Sequence, residues 1–126
     1  MKEIKIIIER SKNAYSAYAE NVEGISGMGD TVADAKRSVL QAIEIQKALG
    51  NFKLSSYQII YKFDVQSMLN YYRRIFSLAA LERITGIDQK YLQHYSTGLK
   101  RPRPERRKKI EKSLHSLGAE LMALEL

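Results

Sequence analysis

The sequence predicts an α+β protein, with an N-terminal β-β-β-α-β module over residues 1–63 and an all-α helix-turn-helix domain over residues 64–126. Two observations predict this division. Apolar residues alternate near the start of the chain and then recur at helical spacing, as expected for strands followed by one helix. Beyond residue 64, every patterned segment has the helical period, and capping or turn residues separate the segments. Two modules of this size bury little surface alone, which favours an oligomer.

The predicted strands of the first module are residues 3–10, 14–20 and 25–28. Alternation in the second strand puts Ala17 and Tyr18 on opposite faces of the sheet. Three glycines punctuate the third strand, where the missing side chains permit turns or a bulge: Gly24, Gly27 and Gly29. Their spacing is not that of a dinucleotide-binding loop, and no Lys-Ser or Lys-Thr pair follows, so phosphate binding is disfavoured.

A helix is predicted to begin after Thr31 and to end at Gly50. The Thr31 side chain can accept from the free N–H groups of the first turn, and Asp34 completes a capping-box pattern. Residues 57–63 are rich in β-branched and aromatic side chains, which predicts a fourth strand that returns to the sheet. The buried stripe predicted for the helix comprises Val32, Ala35, Val39, Ala42, Ile43 and Leu49.

The composition argues against an enzyme and against a membrane protein. There is no cysteine, and therefore no disulfide, no thiolate zinc site and no cysteine nucleophile. No window approaches the roughly 18 uninterrupted apolar residues of a membrane span, and the apolar run at residues 6–8 is too short for a signal peptide. We therefore expect a cytoplasmic protein with no membrane partner, no catalytic residue, no metal and no cofactor.

Acidic residues of the first module leave one alternative open, because carboxylate clusters bind the metal ions of nucleases. Most of these acids flank turns or strand ends, where solubility or helix capping explains them. They are Glu3, Glu9, Glu20, Glu23, Asp30 and Asp34. A surface role is favoured, and an RNA-processing enzyme with a nuclease-like fold is the alternative from a different functional class.

The net charge of +7 is concentrated in the second half of the chain. Residues 1–60 carry eight Lys and Arg against seven Asp and Glu, whereas residues 61–126 carry thirteen against seven. A concentrated positive field favours a polyanion, and nucleic acid is the usual polyanionic partner of a small domain. A solvated basic surface on a structural domain would give the same count.

Three short helices with a tight turn are predicted after residue 64. Asp64 can cap the first, Ser77 a second over residues 78–84, and Asp88 a third that runs to residue 95. Gly86 supplies a left-handed turn between the second and third helices. This order is that of a helix-turn-helix, in which the second helix of the pair contacts bases.

Residues 81–92 resemble the helix-turn-helix of phage-repressor-type domains, as does Thr97-Gly98 ahead of a basic loop with prolines. The resemblance implies that Leu81, Ile87 and Leu92 are core residues. The side chains expected to contact bases are Gln89, Lys90, Gln93 and His94. Those expected to contact phosphate are Ser77, Thr97, Lys100, Arg101 and Arg103. Glu82 departs from the family, which usually has alanine there to let the two helices approach.

The chemistry of these side chains suits DNA independently of the resemblance. Glutamine can form two hydrogen bonds with the edge of adenine, and lysine can donate to guanine O6 and N7.

The last helix has an apolar stripe at Ile110, Leu114, Leu117 and Leu121. The end of the chain, residues 121–126, is too apolar to stay free, so we expect a homodimer or a higher even oligomer.

The first half of the chain resembles the N-terminal domain of the HicB antitoxins, through residues 15–18 (Tyr-Ser-Ala-Tyr), Gly24, the step Gly29-Asp30-Thr31 and Ala35. The resemblance implies a truncated RNase H-like fold without a working active site. It also implies binding to a small RNA-cleaving HicA-like toxin protein. Residues 21–23 depart from the family, which often has prolines there, and no toxin-contacting residue is assigned.

Together these patterns predict an antitoxin of a type II toxin-antitoxin pair. It would neutralise its toxin by direct binding and repress its own operon by binding double-stranded operator DNA. The main alternative is a stand-alone helix-turn-helix transcriptional repressor whose first module senses a ligand or only dimerises. A toxin gene beside this one would separate these two hypotheses.

Overall fold

A computed structural model describes residues 2–10, 12–51 and 57–126. It confirms the predicted α+β class, because a four-stranded sheet with one helix precedes an all-helical part. The chain divides into two compact units, Met1–Ser67 and Met68–Leu126, hereafter unit 1 and unit 2.

Unit 1 has the predicted β-β-β-α-β order. Its strands run in the sheet order β3-β2-β1-β4, with β2 antiparallel to both of its neighbours and β4 parallel to β1. The predicted return of the fourth strand to the sheet is therefore confirmed. The elements are β1 (Lys2–Arg10), β2 (Tyr15–Ala19), β3 (Ser26–Gly29), α1 (Val32–Ala48) and β4 (Tyr57–Phe63).

The core of unit 1 lies on the face of the sheet that α1 covers. Side chains at alternate positions of the central strand β1 are buried, as period-two alternation requires. Four of the six predicted stripe residues of α1 are fully buried, but Leu49 is 66% exposed because it is the C-cap residue, beyond the last helical turn. The buried residues of β1 and α1 are Ile4, Ile6, Ile8, Val32, Ala35, Val39 and Ile43.

Two of the glycines in the third strand serve a contact rather than a turn. A Cβ on Gly27 would lie 2.6 Å from the backbone nitrogen of Val39, and one on Gly29 would lie 2.7 Å from that of Ala35. Neither glycine has a positive φ, whereas Gly24 does, at 80°. The prediction of a turn or bulge therefore applies to Gly24 alone. Gly27 and Gly29 let the backbone of α1 approach β3 without side chains between them.

The side chain of Asn21 extends the sheet beyond the end of β2. Its Nδ2 donates to the carbonyl of Glu3 at 2.7 Å, and its Oδ1 accepts from the N–H of Lys5 at 3.0 Å. The carboxamide thus occupies the place of a backbone peptide in the ladder of β1. Sequence patterns did not predict this role, because Asn21 lies in a loop where many polar residues occur.

The N-cap predicted for α1 is present. The Thr31 hydroxyl accepts from the N–H of Asp34 at 3.1 Å. The Asp34 carboxylate accepts from Arg37 at 2.9 Å, which places an acid in the first turn, where the helix dipole favours it. The helix ends before Gly50, whose φ of 75° suits the left-handed region.

The first helix after β4 begins at the end of unit 1 and continues into unit 2, which has a small core. Each of the first three helices after β4 has a capped N-terminus. The carboxylate of Asp64 accepts from Ser67, the hydroxyl of Ser77 from Ala80, and the carboxylate of Asp88 from Lys90. The elements are α2 (Val65–Tyr72), α3 (Leu78–Thr85), α4 (Gln89–Thr97) and α5 (Pro104–Met122). The fully buried apolar side chains are Leu69, Leu81, Ile87, Leu92 and Ile110, which confirms the three core positions predicted among them.

Within residues 2–10, 12–51 and 57–126, no helix is both long and apolar enough to cross a membrane.

Candidate nucleic-acid interface

The turn between α3 and α4 is fixed by local hydrogen bonds. Gly86 ends α3 with a φ of 73° and donates its N–H to the carbonyl of Glu82 at 2.7 Å. The hydroxyl of Thr85 donates to the carbonyl of Leu81 at 2.7 Å and accepts from the N–H of Ile87 at 3.2 Å. Thr85 and Ile87 are both buried, so these hydrogen bonds of the turn are shielded from water.

Helix α4 has one buried face and one face open to solvent. Leu92, Tyr95 and Ser96 are buried against the rest of unit 2. Three of the four residues predicted to contact bases, Gln89, Lys90 and Gln93, are exposed. A row of polar side chains therefore lies on the accessible side of a helix whose opposite side is anchored.

His94, the fourth predicted base contact, differs from the other three. Its side chain is half-buried, and its Nδ1 is buried with no hydrogen-bond partner among the described residues. A buried nitrogen cannot reach a base edge, so any direct contact by His94 in this conformation would use the other ring nitrogen. The geometry therefore supports His94 less than Gln89, Lys90 and Gln93.

Two polar side chains from neighbouring helices form hydrogen bonds to α4. Arg106 of α5 donates to the Tyr95 hydroxyl at 3.2 Å, and its guanidinium lies 5.1 Å from the ring centre of Tyr91. Asn70 of α2 donates to the carbonyl of Ser96 at 2.9 Å. The sequence pattern indicates neither role, because Arg106 belongs to a run of cations and Asn70 to no motif.

A contact between α3 and α4 involves the first predicted base-contacting residue. Gln89 Nε2 donates to Glu82 Oε1 at 3.4 Å. Glu82 is the position where the phage-repressor pattern usually has alanine. The helices pack here nonetheless, with Glu82 half-buried.

The residues predicted to contact phosphate are all exposed, but they differ in whether their side chains already form hydrogen bonds within the protein. Ser77 is the N-cap of α3, and Thr97 donates to the carbonyl of His94 at 3.2 Å. No such side-chain bond involves the cations of the loop after α4 in the described part of the chain. These cations are Lys100, Arg101 and Arg103.

The basic surface of unit 2 is not neutralised internally. Along described residues 68–126, no Lys or Arg forms an ion pair, whereas three such pairs occur among the described residues of unit 1. Further cations on α5 are also exposed: Arg107, Lys108, Lys109 and Lys112. Uncompensated positive charge beside an exposed polar helix face is the electrostatic pattern that attracts a polyanion.

The described residues contain no group of three or more His, Asp or Glu side chains placed to hold a metal ion.

Comparisons with protein-family models, with curated proteins and with solved structures give no significant match to this chain.

Proposed function

We propose that this protein is a DNA-binding regulator and the antitoxin of a type II toxin-antitoxin pair. The observation that carries the DNA-binding part is the exposed face of α4. It presents Gln89, Lys90 and Gln93 from a helix that is anchored on its other side. Glutamine and lysine are suited to the donor and acceptor pattern of the major groove, which admits one α-helix.

The loop after α4 supplies the phosphate contacts in this proposal. Arg101 and Arg103 are exposed, and Pro102 and Pro104 restrict the backbone that carries them. Arginine pairs with phosphate through two N–H groups, and phosphate contacts set the position of a protein on the duplex. The free cations of unit 2 would add affinity that falls with salt.

The antitoxin part rests on the resemblance of unit 1 to the HicB antitoxins. Its support is the β-β-β-α-β order together with the short Gly-Asp-Thr step into α1. The proposed partner is a small RNA-cleaving HicA-like toxin. A stand-alone repressor is the second candidate, and the charge-balanced composition of unit 1 suits a ligand-sensing or dimerisation module equally well.

We place a homodimer contact on the second half of α5. Ile110 is the buried residue of this helix, whereas Leu121 in its last turn is 55% exposed. Leu114, Leu117 and Leu121 follow one another within α5 at intervals of three and four residues, which is the spacing of a helix–helix seam. A two-fold dimer would also match the two half-sites that helix-turn-helix proteins usually contact.

Sedimentation of two lysine variants tests the dimer contact. Leu121→Lys places a charge on the stripe and should raise the dimer dissociation constant at least about tenfold, since burying an unpaired charge is costly. Ala119→Lys is the matched control, because Ala119 is exposed and lies on the side of α5 opposite to the stripe. A monomeric wild-type protein at tens of micromolar, or equal effects of the two substitutions, would contradict this contact.

Two experiments test the function itself. Selection from a random pool of duplexes should enrich one sequence, and Gln89→Ala should weaken that enrichment by losing the preference at the base pair that Gln89 contacts. Coexpression with the small open reading frame beside this gene should yield a copurifying complex and relieve growth arrest caused by that partner. Enrichment without a copurifying partner would favour the stand-alone repressor. Metal-dependent cleavage of RNA by the purified protein would defeat both.

A further inference from the structure

The contact between Glu82 and Gln89 fixes how the first residue of α4 presents its amide. Gln89 Nε2 lies 3.4 Å from Glu82 Oε1. A carboxylate can only accept hydrogen bonds, so the nitrogen end of the amide must face it and the oxygen must face away. Gln89 is itself exposed, which leaves its oxygen and one remaining N–H open to a ligand.

Glu82 is an unfavourable residue for a surface that meets DNA. Its carboxylate is near the predicted base-contacting helix, where a negative charge repels phosphates and lowers affinity. In the described part of the chain, no Lys or Arg forms an ion pair with Glu82, and Gln89 is its side-chain partner. Charge alone therefore does not explain an acid at this position, but orientation of Gln89 does.

We propose that Glu82 is a positioning residue that restricts Gln89 to adenine. This inference rests on the proposed function. Gln89 would meet adenine through its oxygen, which accepts from N6, and through its free N–H, which donates to N7. The second hydrogen on Nε2 stays on Glu82, so both bonds to adenine form without breaking the contact on the protein.

Guanine is rejected by the same arrangement. Its major-groove edge presents two acceptors, O6 and N7. A free glutamine can rotate its amide to turn N–H groups toward them, but a Gln89 held by Glu82 would direct its oxygen at the guanine oxygen. The contact on α3 therefore converts a side chain that tolerates two purines into one that selects between them.

The test uses the full-length protein and the duplex enriched by wild type. The base pair at which Gln89→Ala loses its preference identifies the contacted position. Binding is then measured with A·T and G·C at that position for wild type, Glu82→Ala and Glu82→Gln. Wild type should prefer A·T by roughly 5- to 150-fold, the range of one good bidentate pair.

The two Glu82 variants should separate orientation from charge. Glu82→Ala should lower the A·T preference at least about threefold, because the amide is released to rotate. Glu82→Gln keeps a carbonyl acceptor and should hold the preference within about twofold of wild type. Both variants lose the same negative charge and should bind random DNA more tightly. Glu111→Ala, which removes an exposed acid of α5, is the control that should leave the preference unchanged.

The outcomes distinguish this inference from the proposed function. A wild-type protein without any preferred duplex overturns the proposed function, and this inference with it. A clear wild-type preference that Glu82→Ala leaves intact overturns the role of Glu82 alone. Equal loss of preference in Glu82→Ala and Glu82→Gln also overturns it, because the negative charge rather than the hydrogen bond would then be responsible. Thermal melting of each variant excludes unfolding as the cause.

Discussion

The two units bring a helix against its neighbour by opposite means. In unit 1, Gly27 and Gly29 remove side chains from β3, so that the backbone of α1 lies directly on the strand. In unit 2, the polar side chains of Arg106 and Asn70 bridge to α4 from the helices beside it. The close packing in unit 1 is disrupted when a side-chain atom is added to either glycine. The contacts to α4 in unit 2 are weakened when a polar side chain is removed. In unit 1 the helix is therefore held by close backbone packing. In unit 2, α4 is held by side-chain hydrogen bonds, which single substitutions can remove one at a time.

The largest effect is expected from Gly29→Ala in unit 1. Its new Cβ would lie 2.7 Å from the backbone nitrogen of Ala35, closer than real Cβ atoms approach. Since backbone rather than a flexible side chain must shift, we expect a loss of about 2–3 kcal/mol in the free energy of unfolding. Urea denaturation monitored by circular dichroism measures it.

Gly118→Ala in α5 is the matched control, because a Cβ there meets nothing within 4 Å. Alanine is the better helix former, so this variant should gain about 0.5–1 kcal/mol in stability. Changes of opposite sign in the free energy of unfolding for Gly29→Ala and Gly118→Ala would support the comparison between the units. A Gly29→Ala protein as stable as wild type would break it.

The second prediction concerns the proposed separation of base and phosphate contacts in unit 2. Gln89→Ala or Lys90→Ala should cost about 1–3 kcal/mol on the selected duplex and narrow its advantage over random DNA. Arg101→Ala or Arg103→Ala should instead weaken both duplexes alike. Each lost phosphate contact should also lower the slope of log affinity against log salt by about one.

Titrations of the four variants at several salt concentrations measure both quantities. Arg10→Ala, which changes an exposed cation of unit 1, is the control for loss of charge elsewhere. If the ratio of selected to random affinity survives both Gln89→Ala and Lys90→Ala, α4 is not the base-contacting helix. The assignment of the interface would then have to move to another element.

Much of the fold follows from local chemistry that a sequence displays. The bounds of β4 match the predicted residues 57–63, and Thr31, Ser77 and Asp88 cap the helices that they precede. These features depend on residues within a few positions of one another. The purpose of Gly27 could not be predicted in this way, because the atom that excludes its side chain belongs to Val39 in the following helix.

The candidate site was predictable in its exposed residues and not in their supports. Gln89, Lys90 and Gln93 follow from helical spacing after Asp88, and all three are exposed. Arg106 looked like one cation of a run, but its guanidinium contacts two tyrosines of α4. That contact depends on the packing of α5 beside α4, which a basic run does not encode.

The third prediction tests the side-chain bridge to α4. Arg106→Met removes the bond to Tyr95 and the cation over the ring of Tyr91 but keeps much of the apolar stem. We expect a loss of about 1–1.5 kcal/mol in stability, from one exposed cation–π contact and one hydrogen bond. Arg107→Met on the same helix is the exposed control and should change stability little. Equal losses in the two variants would show that Arg106 behaves as a surface cation.

The smallest effect is expected from Asn21→Ala, which tests whether unit 1 also depends on a polar side chain. Asn21 makes two hydrogen bonds to the backbone of β1 near the surface, so its loss should cost about 1 kcal/mol. Hydrogen exchange gives the sharper measurement. The Lys5 amide should lose protection because its partner is Asn21 Oδ1, whereas amides bonded within the strand ladders should keep theirs. Asn21→Asp retains an acceptor for Lys5 but sets a carboxylate against the carbonyl of Glu3, so it should protect the Lys5 amide without restoring full stability. Unchanged exchange protection of the Lys5 amide in Asn21→Ala would show that water replaces the carboxamide. The sheet of unit 1 would then be held by its backbone hydrogen bonds without this side chain.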